Sequence, residues 1–191
     1  IFVTREPLPL DEASTSANPP NAGLYCVRFY KEGRWTSVTI DDYLPTGNRG
    51  RPLFAKARGN ELWVSLIEKA YASLHGSYSA IEAGQIEEAL CDMTTGIKID
   101  FAKLTAAPSE REQLWRELAS LASNPAYLLG AASKFTDDGG GDTHKSARGI
   151  VHGHAYSVLD LKQTSDGLKL LQLRNPWGRD EWTGKWGDAD M

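Results

Sequence analysis

Two regions of two-residue hydrophobic periodicity flank a region of helical periodicity in this chain. Residues 24–40 alternate apolar and polar side chains around a turn at 31–34, which predicts a β-hairpin. Residues 150–173 alternate in the same way around an Asp-Gly turn. Between these regions, apolar residues recur every three or four positions over 62–74, which predicts an amphipathic helix that Gly76 ends. Strands, then helices, then strands are typical of an α+β fold with an antiparallel sheet, and we expect that class.

Shorter elements complete this pattern. Residues 85–90 have helical spacing, and residues 97–101 are compatible with a strand. Ser109 is followed three residues later by Glu112, which matches a capping box and predicts that a second long helix has its N-cap at Ser109. Residues 127–132 are short and apolar, and they predict a further strand.

The chain of 191 residues is long enough for one domain with a substantial hydrophobic core. Residues 7–21 are rich in Pro, Ser, Ala and acidic side chains, so we expect 1–22 to form an extended lead-in. Ordered structure is then predicted to begin at Gly23 and to make one subdomain over 23–191. Because the first residue is Ile and not Met, we expect the chain to be a piece of a longer protein.

The composition argues against several classes of function. Lys and Arg total 21 against 25 Asp and Glu, and a net charge of −4 disfavours a nucleic-acid-binding surface. No apolar run approaches the roughly 20 residues that a membrane span needs. Cys26 and Cys91 are too few for a disulfide scaffold and lie among apolar residues, so we expect reduced core side chains and a cytoplasmic protein.

The chemistry-bearing candidates are His154 and Asn175, which belong to the C-terminal hairpin. His154 lies in the predicted strand 150–161, and Asn175 follows the strand that folds back beside it. An Asn oxygen that accepts from an imidazole N–H would fix the tautomer of the ring, which is the role of the third member of a Cys-His-Asn triad. Trp177 is two residues further on, where its ring could cover the pair and exclude water.

Other interpretations of these residues stay open. A lone histidine on a strand is more often a satisfied structural residue, and Asn-Pro is usually a turn. His152 shares a strand face with His154 if both are extended, and such a pair, with His144 as a third ligand, is compatible with zinc. Trp177, Trp182 and Trp186 could form a sugar- or peptide-binding platform if they are exposed, but we expect Trp182 and Trp186 in the core.

The sequence around these candidates resembles the calpain family of cysteine proteases. The resemblance runs from about residue 23 to residue 188. Several motifs carry it in the family's order: Asp-Asp-Tyr-Leu-Pro at 41–45, the central helix followed by Gly-Ser-Tyr at 76–78, Asp-Met-Thr-Thr-Gly at 92–96, Gly-His-Ala-Tyr-Ser-Val at 153–158, Leu-Arg-Asn-Pro-Trp-Gly at 173–178 and Glu-Trp-Thr-Gly-Lys-Trp at 181–186.

This resemblance implies the second subdomain of a papain-like protease core, in which an antiparallel sheet or barrel is flanked by helices. It implies that His154 is the general base, that Asn175 orients it and that Trp177 forms a wall of the active site. Glu181 and Asp188 match two carboxylate ligands of a calcium site of the family, and the rest of that site is expected after Met191. Calcium is therefore the implied cofactor of the complete core.

One departure from the family pattern is important. The family's nucleophilic cysteine stands in a Gly-Asp-Cys-Trp context, and neither Cys26 nor Cys91 does. We therefore expect the nucleophile upstream of this chain, in the other subdomain of the core. The implied function is calcium-regulated intracellular cleavage of protein substrates, with this chain inactive by itself. The alternative is a calpain-like binding or scaffolding module that lacks the nucleophile.

Overall fold

The computed structural model of the chain describes residues 3–6, 23–48, 50–57, 59, 61–99, 107–134, 145–179 and 181–190. The chain divides into two compact units, 1–98 and 99–191. The first unit contains β1 (Val3–Glu6), β2 (Leu24–Lys31), β3 (Arg34–Asp41), α1 (Trp63–His75), a short 3-10 helix (Ser79–Ile81) and α2 (Ile86–Thr94). The second contains α3 (Pro108–Ala122), β4 (Leu129–Ala132), β5 (Ala155–Gln163), β6 (Lys169–Arg174) and a short 3-10 helix (Asp188–Asp190).

The predicted α+β class with antiparallel pairing is confirmed. The described strands make two open three-stranded sheets, in the orders β1-β2-β3 and β4-β5-β6, and they do not close into a barrel. Every named strand pair is antiparallel. Among the described residues, no helix has the length and apolar character needed to cross a membrane.

The first unit is built around the hairpin that the alternating pattern predicts. Strands β2 and β3 pair from Leu24↔Asp41 to Lys31↔Arg34. Glu32 and Gly33 between them have φ values of 52° and 77°. Positive φ at both central residues is the geometry that matches the right-handed twist of a hairpin, and Gly adopts it without steric cost.

The core of the first unit joins this hairpin to α1. The buried cluster contains Val27, Phe29 and Ile40 from the sheet with Leu66 and Ala70 from the helix. These positions alternate along the strands and recur at a spacing of four along the helix, as their periodicities require. Helix α1 ends where predicted, at Gly76 with φ +97°.

The second unit places α3 against the sheet formed by β4, β5 and β6. The predicted N-cap at Ser109 is wrong, because α3 begins at Pro108 after Ala107. The Ala107 N–H donates to Glu110 Oε2 at 3.0 Å, so the glutamate that closes the helix terminus is Glu110 and not Glu112. Pro at the first helical position fits because its missing N–H would have no partner there.

Three further boundaries differ from the sequence prediction. Residues 97–99 are not a strand, and 100–101 lie outside the described residues. Ordered structure was expected from Gly23, yet β1 pairs with β2 in the register Val3↔Val27 to Glu6↔Leu24. The other lead-in residues are not described, so the predicted subdomain boundary stays a prediction. The strand predicted over 150–161 begins only at Ala155, and this difference determines the backbone around His154.

Candidate active site

His154 and Asn175 meet at the open end of the β5–β6 hairpin. His154 immediately precedes β5, and Asn175 immediately follows β6. The antiparallel register Ser157↔Arg174 brings these two ends together. His154 Nε2 lies 2.9 Å from Asn175 Oδ1, and the two residues are 8% and 4% exposed. The sequence-predicted pair is therefore a buried hydrogen bond in the structure.

The hydrogen bonds of Asn175 fix the orientation of its amide. The backbone N–H of Trp177 donates to Asn175 Oδ1 at 3.1 Å, and Asn175 Nδ2 donates to the carbonyl oxygen of Arg179 at 2.8 Å. If the amide were flipped, Nδ2 would face the Trp177 N–H, which is also a donor, and Oδ1 would face the Arg179 carbonyl, which is also an acceptor. The oxygen of Asn175 is therefore the atom that faces His154.

This amide orientation also determines the tautomer of His154. Because a carbonyl oxygen can only accept, His154 Nε2 must carry the hydrogen of their bond. In the neutral ring, Nδ1 then has an unprotonated lone pair. Within the described part of the chain, no hydrogen bond occupies Nδ1, so this nitrogen is the one able to accept a proton from a reacting group.

Two aromatic rings enclose the imidazole. The ring centroid of Trp177 lies 4.3 Å from that of His154, and the ring of Tyr156 meets the imidazole edge-on at 5.0 Å. Trp177 itself is 38% exposed, and the guanidinium of Arg179 lies 5.7 Å from its ring centroid. Low local polarity strengthens the His154–Asn175 bond, since water cannot compete for it. The predicted covering position of Trp177 matches this geometry.

The segment before β5 is held by side-chain hydroxyls. The Tyr156 hydroxyl accepts from the N–H of Val151 at 2.9 Å, and Val151 is fully buried. Ser133, which follows β4, bonds to Val151 and to His154. The sequence prediction missed Ser133, because no local pattern indicates that a residue 21 positions earlier reaches the histidine.

The alternative of a zinc site requires His152 and His154 on one strand face, and the structure does not place them so. His152 lies in a turn and His154 precedes β5, so the two do not share a strand face. His154 Nε2 is engaged with Asn175. No group of three or more His, Cys, Asp or Glu side chains suited to a metal occurs among the described residues, and His144 lies outside them.

Cys26 and Cys91 are half-buried, unbridged thiols of the first unit. Cys26 is central in β2, where it pairs with Thr4 and Thr39, and Cys91 is in α2. The prediction that they are core side chains is wrong, because neither belongs to the buried cluster of the first unit. Both lack a disulfide partner, as expected.

Glu181 and Asp188, the predicted calcium ligands, are both exposed at the two ends of a short loop. The loop is folded by its own bonds, in which Trp182 Nε1 donates to the Lys185 carbonyl at 2.8 Å and Gly187 N–H donates to Asp190 Oδ2 at 3.2 Å. Two exposed carboxylates suit a hard cation but supply only part of the six to eight oxygens that calcium takes.

The prediction that Trp182 and Trp186 are core residues is wrong. They are 36% and 57% exposed. The Trp182 ring lies over Gly184, where an added Cβ would come within 2.5 Å of the indole. The Arg148 guanidinium lies 5.7 Å from the centroid of the Trp182 ring. The ring of Trp182 thus makes local contacts in place of the sheet packing that its apolar character predicted.

A buried histidine oriented by an asparagine amide is the arrangement that Cys-His-Asn hydrolases use for their general base. The comparison with known families agrees with this class. The sequence model of the calpain family cysteine proteases matches residues 8–191. The chain belongs to this family.

Curated relatives support the same assignment. The chain is 42% identical over 197 residues to the calpain-type cysteine protease DEK1 of Zea mays, which covers 99% of this chain and 9% of that protein. It is 46% identical to DEK1 of Arabidopsis thaliana, over 87% of this chain and 8% of that protein. It is 38% identical to the calpain-1 catalytic subunit of Rattus norvegicus, over 87% of this chain and 23% of that protein. The chain thus spans a quarter or less of these relatives.

Proposed function

We propose that this chain supplies the general base and its orienting residue to a calpain-type cysteine endopeptidase that cleaves protein substrates. The observation that carries the proposal is the buried 2.9 Å bond between His154 Nε2 and Asn175 Oδ1, with the amide orientation fixed by Trp177 and Arg179. Family membership supports the reaction class, and the tautomer of His154 supports its role as the base.

The proposed chemistry uses Nδ1 of His154. A cysteine thiol has a pKa near 8.5, so it is mostly protonated at neutral pH. Transfer of its proton to Nδ1 gives a thiolate–imidazolium pair, and such pairing lowers a thiol pKa to roughly 3.5 to 7.5. The thiolate attacks the peptide carbonyl, and the imidazolium then protonates the leaving amine. Asn175 holds the ring in place throughout, because it stays bonded to Nε2–H in both protonation states.

The nucleophile is proposed to lie upstream of Ile1, in the other subdomain of the protease core. Cys26 and Cys91 occupy regular positions in β2 and α2 and lack the Gly-Asp-Cys-Trp context. This chain by itself is therefore expected to be inactive. Its partners are the other core subdomain and the protein substrate, and closure of the two subdomains brings sulfur and imidazole within hydrogen-bond distance.

Calcium is the proposed regulatory cofactor of the complete core. Glu181 and Asp188 would hold the ion in this subdomain, and their exposure leaves both carboxylates accessible to a cation. Bound calcium would supply positive charge that neutralises the two carboxylates and fixes their separation. Because these two carboxylates supply only part of the six to eight oxygens that calcium takes, we expect weak binding without the remaining ligands.

A cytoplasmic setting completes the proposal. Two unbridged, half-buried cysteines are compatible with a reducing compartment. The net charge of −4 gives no indication of a nucleic-acid partner.

The decisive experiment follows cleavage of a denatured protein substrate by the protein at its full encoded length, across a calcium titration, with His154→Ala as the test variant. We expect cleavage that rises with calcium and is reduced by at least about 10³-fold in the variant. Ser123→Ala, which removes an exposed hydroxyl bond at the end of α3, is the matched control and should keep full activity.

Other outcomes separate the parts of the proposal. Cleavage that ignores calcium but is lost in His154→Ala would retain the base and remove the calcium switch. Full activity in a folded His154→Ala variant would overturn the role of the histidine. A folded full-length protein without cleavage at any calcium level would favour the non-catalytic binding or scaffolding module.

A further inference from the structure

The backbone of His154 is not held by a regular β-ladder. The β4–β5 register ends at Ala132↔Ala155, so Ser133 stands opposite His154, one position beyond the named strands. The Ser133 N–H donates to the His154 carbonyl oxygen at 2.9 Å. In a hydrogen-bonded antiparallel pair, the N–H of the second residue would return to the carbonyl of the first. Here the His154 N–H instead donates to Ser133 Oγ at 3.0 Å.

The same hydroxyl also reaches the start of the turn. Ser133 Oγ lies 2.6 Å from the Val151 carbonyl oxygen and 3.2 Å from the His154 carbonyl oxygen. A hydroxyl has one hydrogen and two lone pairs, so it donates to the nearer carbonyl while accepting from His154 N–H. The single side chain of Ser133 thereby links the two ends of the segment 151–154.

An isolated antiparallel bridge pairs Val151 with Lys145, but the N–H and carbonyl groups of Val151 bond elsewhere. Gly153 turns the segment with a φ of 63°, and its N–H donates to the Lys134 carbonyl at 3.1 Å. The Val151 N–H is taken by the Tyr156 hydroxyl at 2.9 Å. Both backbone groups of the fully buried Val151 thus bond to side-chain hydroxyls, and any loss of one leaves a buried polar group without a partner.

We infer that Ser133 is a positioning residue, whose hydroxyl sets the direction of the His154 side chain toward Asn175. The direction of the Cα–Cβ bond of His154 depends on its backbone, and its ring must reach Asn175 Oδ1 while it stays between Trp177 and Tyr156. A change in the backbone at 154 would tilt the ring away from the amide, which removes the preference for the Nε2–H tautomer. This inference rests on the proposed function for its catalytic consequence, but its geometric content is independent of activity.

The test compares Ser133→Ala, which removes the hydroxyl, with Ser133→Thr, which keeps it. The readout is the ¹⁵N chemical shifts of the two His154 ring nitrogens in this chain, above the pH at which imidazole is charged. The native chain and Ser133→Thr should show one tautomer with Nε2 protonated, whereas Ser133→Ala should show the two ring shifts converging as tautomers exchange. Ser123→Ala serves as the control for loss of a serine hydroxyl bond in the same unit.

The catalytic consequence is measured on the protein at its full encoded length. Ser133→Ala should lower kcat roughly tenfold with KM unchanged, because a misplaced base reacts more slowly, and Ser133→Thr should restore most of it. An unchanged His154 tautomer in a folded Ser133→Ala variant would overturn the inference. Failure of Ser133→Thr to restore the tautomer would do the same.

A further measurement keeps the inference testable if Ser133→Ala does not fold. The His154 amide proton of the native chain should exchange with solvent as slowly as the ladder amides of β5, because Ser133 Oγ accepts it. Rapid exchange of that proton would show that the bond is absent. If His154→Ala is fully active, the proposed function fails, while the tautomer and exchange results still decide the position of Ser133.

Discussion

The described residues of each unit include a buried polar cluster with a side chain from a distant element, and these two clusters differ in charge. In the first unit, Asp92 Oδ2 lies 2.8 Å from Lys31 Nζ and accepts from the Tyr71 hydroxyl at 3.0 Å. In the second unit, the buried pair is made of His154 and Asn175, with the asparagine neutral and the histidine able to change its charge. The Asp92 cluster connects α2, β2 and α1, whereas the His154–Asn175 pair connects the two open ends of the β5–β6 hairpin.

The difference in charge predicts different responses to mutation. The Asp92 carboxylate and the Lys31 ammonium satisfy each other, which ties α2 to β2. His75 Nε2 lies 3.8 Å from Asp92 Oδ2, beyond hydrogen-bond distance. A buried charge is costly unless paired, so this cluster should be sensitive to truncation. The His154–Asn175 pair carries less electrostatic cost and should be sensitive in its tautomer more than in its stability.

The largest expected effect on stability is that of Asp92→Ala in the first unit. Removing the carboxylate leaves the Tyr71 hydroxyl without its acceptor and the Lys31 ammonium with the exposed Glu88 carboxylate as its partner, and we expect the free energy of unfolding to fall by about 2 to 3 kcal/mol. Chemical denaturation of the native and variant chains measures this change. The ring ¹⁵N shifts of His154 should be the same in both, and an altered His154 tautomer would contradict the separation of the two clusters.

Asn175→Ala should affect stability less than Asp92→Ala does, and its main effect should be on kcat. Loss of the acceptor for Nε2–H should destabilise the chain by only about 1 to 2 kcal/mol. In the full-length protein we expect kcat to fall about 10- to 100-fold, because the base is no longer oriented. Kinetics at saturating substrate and denaturation curves test the two parts. A large loss of stability with little loss of kcat would make this pair a structural cluster like that of Asp92.

Much of this molecule could be predicted from its sequence, where local patterns determine the structure. Hairpin β2–β3 and helix α1 follow from short-range periodicity with a turn or a terminating glycine. The His154–Asn175 contact was predictable because a tight hairpin brings its two open ends together. The start of β5 was not predictable. The alternating pattern continues through Val151, but the backbone of Val151 bonds to side-chain hydroxyls and not to a neighbouring strand.

Other features depend on contacts that no sequence pattern carries. Trp182 has the large apolar side chain that is typical of a core residue. In the structure its ring packs on nearby Gly184 and Arg148 instead. The sequence is compatible with two N-termini for α3, one capped at Ser109 with Glu112 and one that begins at Pro108 with Glu110. The structure has the second. Ser133 reaches His154 only through the register of β4 and β5.

Alkaline pH should weaken the charged cluster by a smaller amount. Burial, followed by the hydrogen bond to Asp92, raises the pKa of Tyr71 to about 12, and the bond to Asp92 raises the pKa of Lys31 above its ordinary value. Both residues keep their protons more tightly when folded, so this stabilisation is complete below about pH 10 and declines as the pH rises toward 12. We expect a loss of about 1 kcal/mol, after allowing for partial exposure to solvent.

Urea denaturation at pH 8 and at pH 10.5 measures this dependence. Tyr71→Phe removes the phenol while keeping most of the ring packing against Phe29, so its stability should decline less between the two pH values. An equal decline in both chains would assign the alkaline sensitivity to other groups.

The smallest effect is expected for Glu88→Ala, which sharpens the first prediction. Glu88 Oε1 also pairs with Lys31 Nζ, at 3.0 Å, but its side chain is 58% exposed whereas that of Asp92 is 8% exposed. An exposed ion pair contributes about 0.2 to 1 kcal/mol, so this variant should be close to the native stability. A loss as large as that of Asp92→Ala would show that charge alone, and not burial, governs the cluster.

The bonds described above for the Asn175 amide have a consequence for the timing of the proposed reaction. Those to His154, Trp177 and Arg179 join groups within a single unit. The rotational entropy of the imidazole is therefore lost when this unit folds and does not add to the barrier of a later step. In the protease that we propose, the base would therefore be preorganised, and switching the enzyme on would require the arrival of the thiol and no rearrangement of the imidazole.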